Sequence, residues 1–550
     1  MKRSITALFG CALFSSLMLT AHPKIAHDLD GVDPQSSSDV IVQFAHTPTE
    51  AHHDKIRSRG GSLRSKLPLV NAGSYSMPAG ALESLANDPE VLYISPNRPL
   101  KGTIYNATAA VNAPTAWASN LTGAGIGVAV IDSGLLTNQD VAGSSVSYQQ
   151  SWLNYDPTDY YGHGTHVAGI IASSGSSSHC SKCFRNMQGV APGVKLINLR
   201  VLDQTGAGTD ANVIAAINTA ISLKSKYNIR VINLSVGRPV YESYTKDPLC
   251  QAVEAAWKAG IVVVVAAGND GRDNSQGTNG YGTITAPGND PYVITVGAMR
   301  TMGTPTRTDD LVASYSAKGP TVIDHIVKPD LVAPGNQVVS TYSNTGALNQ
   351  AYPANNVSYS YFESGGSGTP NLYFTLSGTS MAAPVVSGAV ALLLQSNPAL
   401  TPDQVKAKLM LTAYKTFPTS SVATDATTGL AYVSYYDAFT VGAGYLDIKA
   451  ALADKTKFSG TSLSPVATFN SSTKVASVVC ASSSVCATTG TNTMWGANTM
   501  LANNTMWGAN TMWGANTMWG ANTMWGANTL WGASTTDASE ATTLTINGEN

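Results

Sequence analysis

Charge is scarce in this chain. Asp, Glu, Lys and Arg supply only 12% of its 550 residues, and 32 basic against 34 acidic side chains leave a formal net charge of -2. With no basic excess, basic helix or basic stripe, the electrostatic footprint of a nucleic-acid-binding protein is missing, and no nucleic-acid partner is expected. Long apolar runs are almost as rare. One follows Met1, Lys2 and Arg3 at residues 5–19. It is too short to span a bilayer comfortably and has the form of a secretory signal peptide ending near residue 21. No transmembrane segment is expected in the mature chain, which reads as secreted and extracellular, with the periplasm or the cell surface as alternatives. Cysteine is also sparse, with six in all, and Cys11 would leave with the signal peptide. The odd number that remains, in an oxidising compartment, predicts at least one unpaired thiol. Cys180 and Cys183 form a CxxC, read as a disulfide rather than half of a zinc site because no second pair or histidine cluster stands at ligand spacing. Cys480 and Cys486 make a second close pair, and Cys250, at the start of an expected helix, is the candidate free thiol.

Apolar material is plentiful, at 43% of residues, enough for a large core. Much of it surrounds residues that can do chemistry. In SGTSMAAP (residues 377–384) a small-residue turn delivers the Ser380 hydroxyl to an apolar helix, with Pro384 expected near the helix start, where its missing N–H breaks no bond. A hydroxyl is a weak nucleophile at neutral pH, so it needs a base, a group to orient the base, and donors for the developing oxyanion. GHGTHVAG (residues 162–169) offers His163, flanked by glycines, as the base. His166, followed by Val167 and Ala168, reads as a structural histidine. VAVIDSG (residues 128–134) is an apolar strand that ends in Asp132, where open α/β sheets build their sites. IVVVVAAGND (residues 261–270) reads as a central parallel strand ending in Asn269, whose amide can donate to an oxyanion.

Together these segments resemble the subtilases, the subtilisin-type serine endopeptidases, over about residues 113–452. The order Asp132, His163, Asn269, Ser380 is that family's and differs from the orders of chymotrypsin and the α/β-hydrolases. INLSVG (232–237), YVITVGA (292–298), KPDLVAPG (328–335) and VGAGYLD (441–447) extend the likeness. The resemblance implies an Asp132–His163–Ser380 triad, with Asn269 and the Ser380 backbone N–H binding the oxyanion, and protein or peptide substrates. It further implies two extended edges that pair with substrate backbone, Gly206, Ala207, Gly208 and Ser235, Val236, Gly237. Ala266, Ala267 and Gly268 would wall the primary side-chain pocket and Thr285 would floor it, which suits medium apolar side chains. No cofactor is implied for catalysis. Structural calcium is common in the family, and Asp140 stands near the position of one ligand, although the loop at 173–188 carries two cysteines in place of a recognisable ligand set.

The expected fold class is α/β: in the catalytic domain (105–453) apolar strands alternate with helical patterns, which argues for a parallel sheet with helices on both faces. Residues 22–104 read as a propeptide, with a small α+β, ferredoxin-like unit at about 39–100 that would inhibit the enzyme until cut in the region 97–106. His46, His52 and His53 crowd into that unit, either as exposed polar residues or as a pH-sensitive element of its release. A Ser/Gly/Tyr/Asn-rich loop at 341–375 is expected to border the cleft. Residues 454–492 read as a Ser/Thr-rich linker. At 493–534 TMWGAN recurs at Thr493, Thr505, Thr511, Thr517 and Thr523, with degenerate copies at Thr499 and Thr529, followed by a polar tail at 535–550. In an extended strand every Thr, Trp and Ala of the repeat would share one face. Two readings stay open, a self-associating or surface-binding array and a simple spacer. Two functional classes follow: a secreted, self-processing endopeptidase, or a surface structural or adhesive protein whose protease domain acts only in self-processing.

Overall fold

The computed structural model describes residues 22–26, 29, 32–68, 71–96, 104–275, 277–425, 428–470, 475–489, 494 and 548–549. The expected signal peptide (1–21), the junction at 97–103 and the repeats other than Met494 lie outside them. The chain divides into two units, Met1–Leu100 and Lys101–Asn550.

In the first unit the order is β1 (Ser37–Phe44), α1 (Glu50–Arg57), β2 (Ser62–Leu67), β3 (Ala72–Pro78), α2 (Leu82–Ala86) and β4 (Val91–Pro96). The strands form an antiparallel sheet in the order β2-β3-β1-β4, the split β-α-β topology of ferredoxin-like units. Alternation along β1 turns Val40, Val42 and Phe44 into a core shared with Ile56, Tyr75 and Ile94. His53 belongs to that core and is not a solvated residue. Its Nδ1 lies 2.9 Å from the Tyr75 hydroxyl, and burial holds its pKa below the ordinary imidazole value.

The second unit opens with α3 (Ile104–Ala110) and α4 (Ala113–Ala118). It continues with β5 (Gly127–Asp132), β6 (Val146–Ser151), α5 (His163–Ala172), β7 (Lys195–Arg200), α6 (Asp210–Tyr227), β8 (Ile229–Leu234), α7 (Pro248–Lys258), β9 (Val262–Ala266) and β10 (Ile294–Arg300). Then come β11 (Leu311–Val312), β12 (Leu331–Pro334), β13 (Val338–Thr341), α8 (Ala347–Ala351), β14 (Tyr373–Leu376), α9 (Thr379–Ser396) and α10 (Pro402–Thr412). The main sheet runs β11-β10-β9-β8-β5-β7-β6, with β12 also on β10. All its pairs are parallel except β10 with β11. The sequence accounts for this. The valines of β9 and the GVAVID of β5 are buried at every position, as β-branched strands covered on both faces must be. Two helix pairs cover the sheet, α5 with α9 and α6 with α7.

Helix α9 is long and apolar enough to cross a membrane by composition, yet 83% of it is buried inside the unit; it is a core helix. Pro384 lies inside α9 rather than at its start. The missing N–H costs little there, because the carbonyl it would have bonded, that of Ser380, accepts instead from the Ser235 hydroxyl at 2.8 Å.

Next come the hairpin β15 (Ser420–Thr424) with β16 (Ala431–Tyr435), α11 (Ile448–Ala453), and the hairpin β17 (Val466–Asn470) with β18 (Val475–Val479), which leads to α12 (Val485–Thr489). The reading of 454–492 as a linker is therefore corrected. Val327 N–H donates to Pro465 O at 2.8 Å and Ala467 N–H to His325 O at 2.8 Å. Ser464 Oγ donates to the buried Asp330 carboxylate at 2.5 Å. Phe458, Ala467, Val485 and Cys486 share a buried cluster with Val327, Met410 and Phe439. Small and hydroxylated residues pack here by close approach and hydrogen bonding, which composition alone does not reveal. Disulfides join Cys180 to Cys183 and Cys480 to Cys486. Cys250 is free and buried; it donates to Asn289 Oδ1 at 3.3 Å, and burial pushes its pKa far up, so it is an inert thiol.

Candidate active site

Parallel strands put their carboxyl ends along one edge, and the candidate residues gather there. Asp132 closes β5 and is 1% exposed. Its Oδ1 accepts from Ser133 N–H at 2.7 Å and lies 2.7 Å from His163 Nδ1, so the imidazole carries its Nδ1 proton toward the carboxylate. His163 is the first residue of α5, behind Gly162 at φ 108°, a left-handed conformation in which a side chain would be strained. Desolvation lowers the pKa of His163, but the charge and hydrogen bond of Asp132 outweigh it, and the net shift is upward.

One supporting residue escaped the sequence reading. Asp159, fully buried, accepts at Oδ1 from Gly162 N–H at 2.7 Å and from the Ser133 hydroxyl at 2.8 Å, and at Oδ2 from Thr165 N–H at 2.8 Å. It ties the start of α5 to the residue after Asp132 and so fixes the distance between the two. A carboxylate placed before a helix N-terminus was the available signal. His166, one face of α5 away, is the structural residue expected: its Nε2 sits 3.1 Å and 3.0 Å from the carbonyls of Val338 and Phe374, on β13 and β14. Burial takes its pKa down to about 3.

Ser380 stands in the first turn of α9, after Gly378 at φ 137°. Its Oγ donates to Ser235 O at 3.2 Å. Asn269, just past β9, accepts at Oδ1 from Thr379 N–H at 2.9 Å and from the Thr379 hydroxyl at 3.1 Å. A backbone N–H can only donate, so Oδ1 must face Thr379 and the Nδ2 donors are turned toward the cleft.

A cleft of ≈ 490 Å³ has His163, Asn269 and Ser380 in its wall, along with the 206–208 and 235–237 segments and, from the long loop before β14, Leu348. A smaller cavity of ≈ 250 Å³ adjoins it, lined by Ala266, Gly268, Thr285 and Thr379, with the 235–237 segment and Ser380 shared. Glycine is required in its wall: a Cβ on Gly237 would lie 2.5 Å from Thr285 Oγ1, and one on Gly268 would lie 2.9 Å from Thr285 Cγ2. Ala267 is corrected. It is fully buried with Ile284 and Ala317, on the far side from the cavity, because successive residues of an extended segment point opposite ways.

Asp140 does not fit a calcium ligand. Its Oδ1 accepts from Ser177 N–H at 2.6 Å and its Oδ2 from the Tyr373 hydroxyl at 2.5 Å. Among the described residues no group of three or more His, Cys, Asp or Glu side chains is placed to hold a metal ion. Both oxygens serve the packing of the 173–188 loop against β14.

Residues 123–442 match the family model described as the subtilase family. The chain is 37% identical over 364 residues to serine protease AprX of Bacillus subtilis (strain 168), covering 64% of this chain and 76% of that one. It is 31% identical over 366 residues to subtilisin E of the same organism, 66% and 80% of the two chains. It is 32% identical over 356 residues to an extracellular serine proteinase of Thermus sp. (strain Rt41A), 61% and 69%. Subtilases need no catalytic cofactor. With a family match that spans more than half the chain and relatives of this similarity, the chain belongs to the subtilase family and is a subtilisin-type serine endopeptidase.

Proposed function

We propose that the protein is a secreted, self-processing endopeptidase that cleaves peptide bonds through Asp132, His163 and Ser380. The observation that carries this reading is the 2.7 Å contact of Asp132 with His163 at a cleft that also holds Ser380 and Asn269. A peptide lies extended between the 206–208 and 235–237 edges, held by main-chain hydrogen bonds that accept many sequences. Its P1 side chain enters the cavity of ≈ 250 Å³, a size and lining suited to medium apolar groups. The Ser380 hydroxyl leaves the Ser235 carbonyl and gives its proton to His163 Nε2 as Oγ bonds to the substrate carbonyl carbon. The resulting oxyanion takes hydrogen bonds from Asn269 Nδ2 and the Ser380 backbone N–H. His163 then protonates the departing amine as the C–N bond breaks. Water then gives a proton to His163 as its oxygen bonds to the acyl carbon, and the imidazolium passes that proton to Ser380 Oγ as the ester C–O bond breaks and the acid departs. Asp132 fixes the imidazole tautomer and stabilises the imidazolium.

Maturation follows the same chemistry. The ferredoxin-like unit ahead of residue 100 is the inhibitory propeptide, and the basic-then-apolar start of the chain and its two disulfides support export. Because the junction and the nucleophile share one chain, the first cut is intramolecular, and its rate is independent of protein concentration. Ser380→Ala expressed in a host lacking other extracellular proteases should accumulate as a chain from about residue 22 onward, uncut near 100. Recovery of correctly processed Ser380→Ala would overturn both the nucleophile and the zymogen. Hydrolysis of an unrelated protein such as casein separates this reading from that of a surface protein whose protease acts only on itself.

A further inference from the structure

The 535–550 segment, read from composition as a polar tail, ends in a built site. Glu549 is 5% exposed. Its Oε1 accepts from Ser314 N–H at 2.6 Å, from the Ser314 hydroxyl at 2.9 Å and from Tyr315 N–H at 3.3 Å. Its Oε2 lies 3.4 Å from Arg300 and 3.9 Å from Arg272, two guanidinium groups that are themselves nearly buried, at 8% and 7% of side-chain exposure. Arg272 also pairs with Asp425 at 2.9 Å. The backbone of Glu549 is read as well: its N–H donates to Asn336 Oδ1 at 2.9 Å and its carbonyl accepts from Asn336 Nδ2 at 2.8 Å. Gly548 has φ 74°, and a Cβ there would come 2.5 Å from Ser377 Oγ and 2.7 Å from Gln337 Cγ.

From this we infer that Arg272, Arg300, Ser314 and Asn336 form a receptor for a Gly-Glu peptide, filled in cis by Gly548–Glu549. The chemistry is selective at both positions. Two guanidinium groups and three donors select a carboxylate, the reciprocal Asn336 pairing requires both the N–H and the C=O of that residue, and the positive φ with no room for a Cβ requires glycine. Two consequences follow. Met494, at the other end of the repeats, is 2% exposed in the cluster of Phe439 and Val485, and its carbonyl accepts from Lys415 Nζ at 2.8 Å. The chain is thus fastened to the catalytic unit at Met494 as well as at Gly548–Glu549. The receptor also touches the turn ahead of the nucleophile. Tyr315, whose N–H faces Glu549, places its hydroxyl 3.0 Å from Gly335 O and 3.2 Å from Gly378 N, and Gly548 packs on Ser377.

Full-length Glu549→Ala, Glu549→Asp and parent chains, compared by hydrogen exchange, test this. The amides of Ser314 and Tyr315 should exchange at least tenfold faster in Glu549→Ala, with Glu549→Asp in between. A labelled peptide of residues 543–550 should displace the weakened segment in Glu549→Ala, where the carboxylate's place is vacated, restore protection there, and not bind the parent; the same peptide with Gln at 549 should not bind. Equal exchange in parent and Glu549→Ala, or indifference to Glu versus Gln in the peptide, would overturn the inference. The parent alone supplies a second reading that needs no folded variant. The bond after Glu549 should resist a glutamate-specific protease in the folded chain and be cut after unfolding, and cutting at equal rates in both states would contradict the docking.

Discussion

Replacing Asn269 by alanine removes two functions carried by opposite ends of one amide, and a second substitution separates them. Nδ2 is the proposed oxyanion donor. Loss of one such donor costs about 10²–10³ in kcat, or about 2.7–4 kcal/mol, a magnitude known from subtilisin. Because the donor acts on charge that exists only in the transition state, KM should stay within about threefold of the parent. Oδ1 has a different task, accepting from Thr379 N–H at 2.9 Å and from its hydroxyl at 3.1 Å. The hydroxyl keeps an alternative partner in Gly268 O at 3.2 Å, but the N–H of a fully buried residue loses this acceptor, at a cost of about 1–3 kcal/mol. Asn269→Ala should therefore lose turnover and also melt at lower temperature. Asn269→Asp keeps the acceptor, has no donor and sets a carboxylate beside the developing oxyanion, so it should lose at least as much turnover with little change in melting. Steady-state kinetics on a chromogenic peptide anilide, with scanning calorimetry on the same samples, reads both. If either variant retained kcat within about tenfold of the parent, the oxyanion assignment would be wrong. If both melted alike, the role given to Oδ1 would be wrong.

Two further outcomes are expected. His163 must be neutral to accept a proton; burial pulls its pKa down, but Asp132 raises it further and the net shift is upward. The acid limb of kcat/KM should then lie above the ordinary imidazole value of about 6.5, and Asp132→Asn should move that limb to lower pH as well as lowering the plateau. A chain ended at residue 454 should melt at least about 5 °C below one ended at 489, because Ser464 supports the Asp330–Lys406 pair from 2.5 Å and 2.8 Å and Phe458, Ala467, Val485 and Cys486 cover Val327 and Phe439; equal melting would restore the linker reading.

What sequence made legible, and what it hid, divides along physical lines. Strands β5 and β9 are β-branched, apolar and buried throughout, so their period and their ends, at Asp132 and before Asn269, could be read directly, and with them the edge where the candidate residues meet. Helix α9 was evident from its apolar run, but Pro384 misled about where it begins, since the Ser235 hydroxyl that satisfies the freed carbonyl comes from a residue 145 positions away. Asp140 was misread for a related reason: an acidic residue at the expected place says nothing of Tyr373, which binds it from across the sequence. Ala267 illustrates the strand period overlooked within a short motif. The packing of Phe458, Ser464, Ala467, Val485 and Glu549 was missed because it joins isolated apolar residues, a hydroxyl and a single carboxylate, none of which leaves a hydrophobic period.

The central claim is that Ser380 is the nucleophile, activated by His163. Phenylmethanesulfonyl fluoride tests it most directly, because the serine Oγ displaces fluoride, its proton passes to the imidazole, and a sulfonyl ester remains on the attacking residue. Mass spectrometry of the digested, inhibited protein should find one sulfonyl group per chain, on the peptide containing Ser380, in proportion to the loss of casein hydrolysis. His163→Ala should leave the serine unlabelled on the same timescale. A single adduct on any other residue, or full proteolysis after complete modification of Ser380, would contradict the account.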